Sequence, residues 1–579
     1  MNNELNIIIN ICKLIESSFG INGKSKLISQ VFDYDDNDQE NQINTNTNNN
    51  NNLNNDNKTI LSTQKLILTN GNIDGLKILA SFNNNSVYYK ILLEHSNLIY
   101  RQYGSGVSQF IILFGSLLRE SIKLTKKGFT INEILDEYKE CRLFLKKYQF
   151  TSSAITENEK QHVQINYNIK DNFINHYLES IIKASVSKNL LNNYIKEITK
   201  IIKSLLNKLP TLDPDKIKIL LLVNDDEDDE REEDEQDFSF QLFDGILFES
   251  TFSFAGKDHL VKYIDNPKIL LLNHEIELKH QKEFSKIEIG ASKEDQDIGQ
   301  LYLKYIESEK QLLFDQLNNI YSNEVNLILN KKIIGDLATQ EFVKKSIGKE
   351  EGSQYRIQCN GLIKDELFDE ILNSTGGMVQ SSLTSLSKNT KFYGACKRYR
   401  QINIGKKSFE LLEGLDGSTQ TIILKGSSKQ SLKQFKQGLL SLIKSIRSII
   451  INDNYNVVGG CGNFELKIIK LLELKINNIT NSNDNNDNTS SNNIKKIILI
   501  KSLIKSISSI IKLLIANSNL DLELFDQLLE FSDQHNSAID IENNSVGSIL
   551  ELKLFESNSM KFSILNSSIE LLSIFLKSI

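Results

Sequence analysis

Two short turns place glycines directly ahead of apolar helical runs. One is Gly104-Ser105-Gly106-Val107-Ser108-Gln109 before Phe110, Ile111 and Leu113; the other is Gly459-Gly460-Cys461-Gly462 before Asn463-Phe464-Glu465. Unpaired backbone N–H groups and the helix dipole both favour an anion at such a helix start, so each turn is a candidate phosphate site. The same spacing also makes a plain tight turn, and a glycine loop alone does not separate the two readings. Phosphoryl transfer needs more than a cradle: a metal ion to neutralise charge and a positioned water. Asp74 is followed by Gly75, and Gly20 and Gly23 mark a third turn in the stretch FGINGKSK (19–26).

Other chemistries find no credible residues. The seven histidines are scattered, and His274-Glu275 with His280 has a spacing of six that would put the two imidazoles on different faces of a helix, unlike the HExxH zinc signature. No metal site is expected from them. Neither a GxSxG elbow nor a Walker lysine loop is present, so ordinary hydrolase chemistry has no candidates. Cys12, Cys141, Cys359, Cys396 and Cys461 are odd in number and never in CxxC spacing, which implies reduced thiols of the cytosol or nucleus rather than disulfides.

The elements that must position the turns fall into a helical frame around a mixed centre. From Phe243 to Leu386 the runs LFDGILF, KILLLN and NLILNKKII read as short strands between helical stretches. The flanks read as helices: 5–19, 87–102, a run from Phe110, 130–148, stretches within 170–208, 429–451, 494–515 and 561–577, with strands at 65–70, 216–223 and 421–424. The layout is an α/β module inserted into a helical domain made from both chain ends. A chain of 579 residues exceeds one core and suggests three or four domains.

Composition narrows the class. Residues 41–57 and 477–493 are Asn-rich and too polar to bury, and they are expected to be disordered insertions. The net charge of −7 is local, because 225–237 carries eleven acids against one arginine; that run reads as a solvated insertion (224–237). No basic, aromatic-interleaved face argues for nucleic acid. With 40% hydrophobic residues and no apolar run long enough to span a bilayer, no membrane insertion is expected, and without a basic-then-apolar leader no export is expected.

Taken together, the turns and the middle resemble the group II chaperonins of the TCP-1 family. FDGILFESTFSFAG, YIDNPKILLLNHEIELK and KKIIGDLATQEF look most like the apical domain of the family's eta subunit, and TGGMVQSSLTSL (375–386) is similar to the pattern that closes it. The resemblance implies a multidomain α/β fold: an equatorial ATP-binding domain from both ends (1–150 and 457–579), an intermediate domain in two parts (151–241 and 421–456), and an apical substrate-binding domain with a helical lid (242–420). It also implies that Ile276 to about Ile298 contributes the lid, and that the apical surface holds non-native polypeptide.

The nucleotide motifs are altered. The family's LGPxGMDK loop keeps Gly20, Gly23 and Lys26 but has Ile21 and Ser25 for its proline and aspartate; DGAT survives as Asp74-Gly75 followed by Leu76-Lys77. In the family's GDGTTS, Gly104 and Gly106 remain, while the metal-holding aspartate is Ser105 and the first threonine is Val107. The water-orienting aspartate falls on Ser441. The late turn keeps Gly460 and Gly462 with Glu465, and Asp540 in AIDIENN matches the adenine-side aspartate. Serine offers Mg²⁺ no anionic ligand and is a poor base, so the loss of both aspartates should cost several orders of magnitude in rate. Lys77 is placed to stand in for the cation, leaving binding without hydrolysis open.

The implied cofactor is thus ATP with Mg²⁺, weakened or lost, and of the catalytic residues only Asp74 is a candidate. Relatives with this habit are the McKusick-Kaufman and Bardet-Biedl chaperonin-like proteins, adaptors in complex assembly. The resemblance implies partners among chaperonin subunits or chaperonin-like proteins and non-native or assembling clients, and a cytoplasmic setting, with centrosomal association implied by the Bardet-Biedl likeness alone. A working ATP-dependent ring subunit is the alternative.

Overall fold

The computed structural model describes residues 3–30, 65–147, 177–223, 238–278, 298–346, 357–481, 487–531 and 537–578, apart from short breaks. The chain divides into two compact units, one formed by 1–203 with 437–579 and the other by 204–436. Both chain ends therefore build the first unit, as the inserted-module layout requires. The five-segment division expected above is finer than this, and the chain crosses its 241/242 boundary inside one continuous strand, Phe238–Glu249.

In the first unit, α1 (Asn3–Glu16) is followed by a hairpin of β1 (Lys26–Gln30) and β2 (Lys65–Thr69), then α2 (Gly75–Ser81), α3 (Val87–Tyr103), α4 (Val107–Lys126), α5 (Ile131–Lys146), α6 (Leu178–Ser185) and most of α7 (Ile195–Lys208). The first helix stops three residues short of the expected Phe19. Ser17 and Ser18 donate their hydroxyls back to the carbonyls of Leu14 and Ile15, ending the helix in a turn. Apolar residues lie all round α4, which marks a buried helix; Phe110, Ile111, Ile112, Phe114, Leu117 and Leu118 are all fully enclosed. Gly115 lets α1 approach, since a Cβ there would lie 2.6 Å from Cys12 Cβ. Thr130 starts α5 with a capping box: its Oγ1 accepts from Glu133 N–H, and the Glu133 carboxylate accepts from Thr130 N–H at 2.9 Å.

The second unit carries two sheets. The larger, ordered β3-β12-β4-β11-β10-β5, is made of β3 (Ile217–Val223), β4 (Phe238–Glu249), β5 (Tyr263–Asp265), β10 (Arg398–Ile404), β11 (Lys407–Glu413) and β12 (Gln420–Gly426); only β3 and β12 run parallel. The smaller, ordered β8-β7-β6-β9, is made of β6 (Lys268–Leu272), β7 (Leu327–Asn330), β8 (Gln358–Asn360) and β9 (Gly394–Ala395), with the first three parallel. Parallel neighbours need crossovers, supplied by α8 (Ile298–Ser322) between β6 and β7 and by α9 (Asp336–Ser346) between β7 and β8. Alternation along β6 and β7 feeds two cores. Leu270, Leu272 and Ile328 join one with Leu313, Leu317 and Phe342; Ile269, Leu271, Leu327 and Leu329 join the other with Phe368 of α10 (Asp365–Thr375).

The described residues bear on two of the expected features in this unit. Ile276 is fully buried and bridges Ile334, and Leu278 is buried too, while residues 279–297, which hold most of the expected lid, lie outside the described residues. The pair His274-Glu275 sits in the extended segment after β6 rather than on a helix. Among the described residues no group of three His, Cys, Asp or Glu is placed to hold a metal ion.

The chain re-enters the first unit along α11 (Lys429–Ile451). There follow β13 (Val457–Gly459), α12 (Asn463–Asn481), α13 (Asp487–Asn517), α14 (Glu523–Phe531), the hairpin β14 (Ser537–Asp540) and β15 (Ser545–Ser548), α15 (Ile549–Leu552), β16 (Phe555–Ser557) and α16 (Asn558–Lys577). The tract 477–493, expected to be a disordered insertion, is helical at 477–481 and again from Asp487. The flanking apolar helices, already nucleated and packed, extend through asparagines whose own propensity is poor. The tracts 41–57 and 224–237 lie outside the described residues. α1, α13 and α16 pack around α4, with Phe575 of α16 edge-on to Phe114 at 5.0 Å. Among the described residues no helix is long and apolar enough to cross a membrane.

Candidate functional site

The glycine turns converge within the first unit. Gly104 ends α3 in the left-handed conformation (φ 69°), and Gly106 opens α4 in the same region (φ 85°). Both need glycine: a Cβ on Gly104 would run into the Ser441 carbonyl, and one on Gly106 would lie 2.8 Å from Ile564 Cδ1. Gly20 (φ 91°) brings the first turn against Leu514, and Asn517 clamps that turn by donating to the carbonyls of Glu16 and Phe19 at 2.7 and 2.8 Å.

These turns wall a cavity of ≈ 160 Å³, to which Gly20, Ser105, Gly106, Ser441, Gly462 and Glu465 all contribute. Among the described residues, the remaining candidates stand outside the wall. Gly75 packs against Ser108, and Gly460 packs against Glu556. Gly23 turns against the Ser18 carbonyl. Asp540 accepts from Asn543 N–H and Nδ2 at 3.1 and 2.7 Å, closing its own local turn. Asp74 and the Lys26 side chain lie outside the described residues.

Each serine at an expected aspartate position is engaged inside the protein. Ser441, on α11, donates to the Gly104 carbonyl at 2.5 Å, tying that helix to the α3–α4 turn. The Ser105 hydroxyl contacts Met560 Sδ at 3.1 Å, so a thioether closes one side of the cavity. Ser557 caps α16, and Asp453 accepts from Ser557 Oγ at 2.7 Å and from Ser559 N–H at 2.9 Å, so a protein carboxylate already occupies that helix start.

The expected stand-in cation, Lys77, is not in the wall; Lys561 is. Its side chain is 6% exposed, and its ammonium donates to Glu465 at 3.0 Å, Glu556 at 2.6 Å and Gln109 Oε1 at 3.1 Å. Gln109 in turn donates to Glu465 at 2.5 Å. Burial alone disfavours the ammonium, but the two carboxylates outweigh it and hold Lys561 well above the ordinary lysine range. Lys561 is thus a fixed cation, neither base nor nucleophile. Burial likewise pushes the Cys461 thiol up to about 12, which keeps it unreactive.

Sequence reasoning named Gln109 and Glu465 within their motifs but missed Lys561, Glu556 and Met560. A usable signal was there: Lys561 falls on the buried face of an apolar helix, where a lysine needs partners.

The residues do not fit a metal-bound nucleotide well. A divalent cation wants several oxygen ligands, and both carboxylates facing the cavity are already bound to Lys561. The volume is below the several hundred Å³ usual for a ligand of nucleotide size.

A family model described as the TCP-1/cpn60 chaperonin family matches residues 56–578. Among curated relatives, T-complex protein 1 subunit eta of Tetrahymena pyriformis is 26% identical over 378 residues, 64% of this chain and 60% of that one. Its counterpart in Saccharomyces cerevisiae is 24% identical over 415 residues (71% and 68%), and that of Dictyostelium discoideum is 24% identical over 464 residues (79% and 73%). The chain thus spans 60% of the length of the first of these.

Proposed function

The chain belongs to the TCP-1/cpn60 chaperonin family, and on that premise we propose that it is a chaperonin-like protein that assists folding or complex assembly without turning over ATP. The family generally binds ATP with Mg²⁺. The observation that carries the loss of turnover is the Lys561–Glu465–Glu556 cluster in the cavity wall, beside serines at both expected aspartate positions. Neither Ser105 nor Ser441 supplies a carboxylate to hold a metal or to orient water.

Client binding belongs to the second unit, whose exposed Leu303, Leu312, Leu362, Met378 and Val379 offer apolar surface to non-native or assembling polypeptide. In this reading 242–420 is the apical domain, 151–241 and 421–456 are the intermediate domain, and 1–150 with 457–579 are the equatorial domain. The working partners are other chaperonin subunits or chaperonin-like proteins, as for the McKusick-Kaufman and Bardet-Biedl type, and the setting is the cytosol. Free cysteines at all five positions agree with a reducing compartment.

The purified chain should hydrolyse ATP no faster than buffer in saturating Mg²⁺, at least a thousandfold below an active ring assayed alongside. Magnesium-dependent turnover abolished by Asp74→Ala would sink this reading. The relatives' shared name favours a second reading, an eta-like ATP-dependent ring subunit. Native mass separates the two: steady residence at stoichiometric level in a particle on the order of 1 MDa supports the ring subunit, whereas a free chain near 66.0 kDa or a smaller mixed complex supports the adaptor.

A further inference from the structure

A second cavity, in the second unit, lies between α8 and the segment that follows β6. It measures ≈ 560 Å³, within the several-hundred-Å³ range of ligand sites. Tyr305, Ser308, Glu309, Leu312 and Gln316 line it from α8, at the spacing of three and four that marks one face of a helix. That face runs about 16 Å along the helix, the length of about five extended residues. A groove of this length suits a linear occupant better than a compact one. The facing wall is held firmly: Asn330, fully buried, donates its Nδ2 to the His274 carbonyl at 2.7 Å, and Gly335 N–H donates to the Ile276 carbonyl at 2.7 Å. His274, Glu275 and Glu277 line the groove from this wall, with the Glu277 stem against Gly335. The carboxylates of Glu275, Glu277 and Glu309 thus share the groove with one ammonium, that of Lys332, 3.9 Å from Glu275. They do not make a metal site, since among the described residues no three His, Cys, Asp or Glu are placed to hold an ion. Beside them the lining is apolar, from Tyr305, Leu312 and Leu313, and Leu312 leaves 57% of its surface in water.

We propose that this groove holds a short extended stretch of polypeptide in which basic side chains alternate with apolar ones. Successive side chains of an extended chain point to opposite sides, so the bases face Glu277 while the apolar side chains lie on Tyr305 and Leu312. Charge complementarity chooses this occupant. An acidic stretch meets like charge, and an all-apolar one would desolvate the carboxylates without offering them a donor. Asn273, Ser308 and Gln316 supply side-chain amides and a hydroxyl for the main chain of the bound stretch. This rests on the reading that the second unit receives polypeptide, and it adds which stretches of a client the groove selects.

The test uses the full chain, which contains no tryptophan, so a tryptophan in the probe reports binding without background. The probe is a pentapeptide blocked at both ends, lysine-leucine-lysine-tryptophan-lysine, titrated at an ionic strength of about 0.15 M. Its indole emission should shift to the blue and its anisotropy rise saturably. Replacing the lysines with glutamates should abolish binding, and replacing the leucine with serine should weaken it about 10-fold. Glu277→Gln should weaken the lysine peptide about 10-fold, and Leu312→Ser about 5-fold. Glu307→Gln, which removes the same charge from an exposed position of α8 outside the groove, should leave binding unchanged. The peptide series on the unaltered chain carries the test if a variant does not fold. Equal affinity for the leucine and serine peptides would overturn the proposal, because charge alone would then be read, as the acidic run 225–237 would read it. Equal losses in Glu277→Gln and Glu307→Gln would overturn it too, as would spermine competing as tightly as the peptide. Peptide affinity that falls as the chain is concentrated would put a second copy in the groove and overturn it likewise. The proposed function has its own readout, capture of reduced, carboxymethylated α-lactalbumin, a permanently unfolded chain. Capture without peptide binding overturns the groove and leaves that function standing; peptide binding without capture does the reverse.

Discussion

Lys561→Met should destabilise the first unit by about 3–5 kcal/mol, the cost of stranding buried charge. Methionine matches the length and apolar stem of lysine, so packing changes little. What changes is that Glu465, 3% exposed, keeps only Gln109 as a donor, and Glu556 loses its contact at 2.6 Å. A buried ion cluster is not itself a large source of stability, since desolvating its members offsets most of their attraction. The prediction therefore has a second arm: Lys561→Met combined with Glu465→Gln and Glu556→Gln should recover most of the loss. Urea denaturation followed by far-UV circular dichroism reads both. A single variant within about 1 kcal/mol of the unaltered chain would mean that the cluster is solvated rather than sealed.

That cluster also marks where the sequence stopped being informative. The helices around it were readable because apolar residues recur at helical spacing over many turns, as in Phe110 to Leu118, and the glycines at 104, 106 and 462 pointed to the turns that wall the cavity. The partners of Lys561 were not readable: Gln109, Glu465 and Glu556 come from α4, α12 and β16, and no local period links them. Lys561 itself stood at the edge of an apolar run and looked like its boundary. The hairpin β10–β11 was missed for a related reason. Its strands carry Arg398, Arg400, Glu410 and Glu413, so the alternation is masked by charges that pair across the ladder, Arg398 and Arg400 both bonding Glu413. Likewise β13 and β16 are three residues each, and their pairing, Val457 with Ser557, depends on the whole intervening helical layer. Long elements declare themselves through local repetition; short paired elements and buried ion clusters are fixed only by tertiary contacts.

The second large effect is expected at Gly245, in the second unit, where one strand serves two partners. Phe238 to Asp244 of β4 pair with β12, and Gly245 to Glu249 pair with β11, so the strand changes neighbours at this residue. Gly245 takes a φ of 130°, outside the range open to L side chains, and a Cβ there would collide with the Leu412 carbonyl of the adjoining strand. Thr421 fills the gap in the ladder: its hydroxyl donates to the Gly245 carbonyl at 2.7 Å and accepts from Leu247 N–H at 3.1 Å. Gly245→Ala adds backbone strain to a clash against backbone that cannot swing aside, and it should cost the second unit about 3–5 kcal/mol. Thr421→Val keeps the shape but leaves a buried N–H and carbonyl unpaired, for about 1–3 kcal/mol. Gly405→Ala provides the reference, since that glycine also has positive φ (61°) but open space where the Cβ would go, so only about 1 kcal/mol should be lost. Limited proteolysis within 204–436 across a urea series measures all three. A Gly245→Ala chain as resistant as the Gly405→Ala chain would mean that β4 does not change partners at this glycine, and the two halves of the sheet would then need another junction.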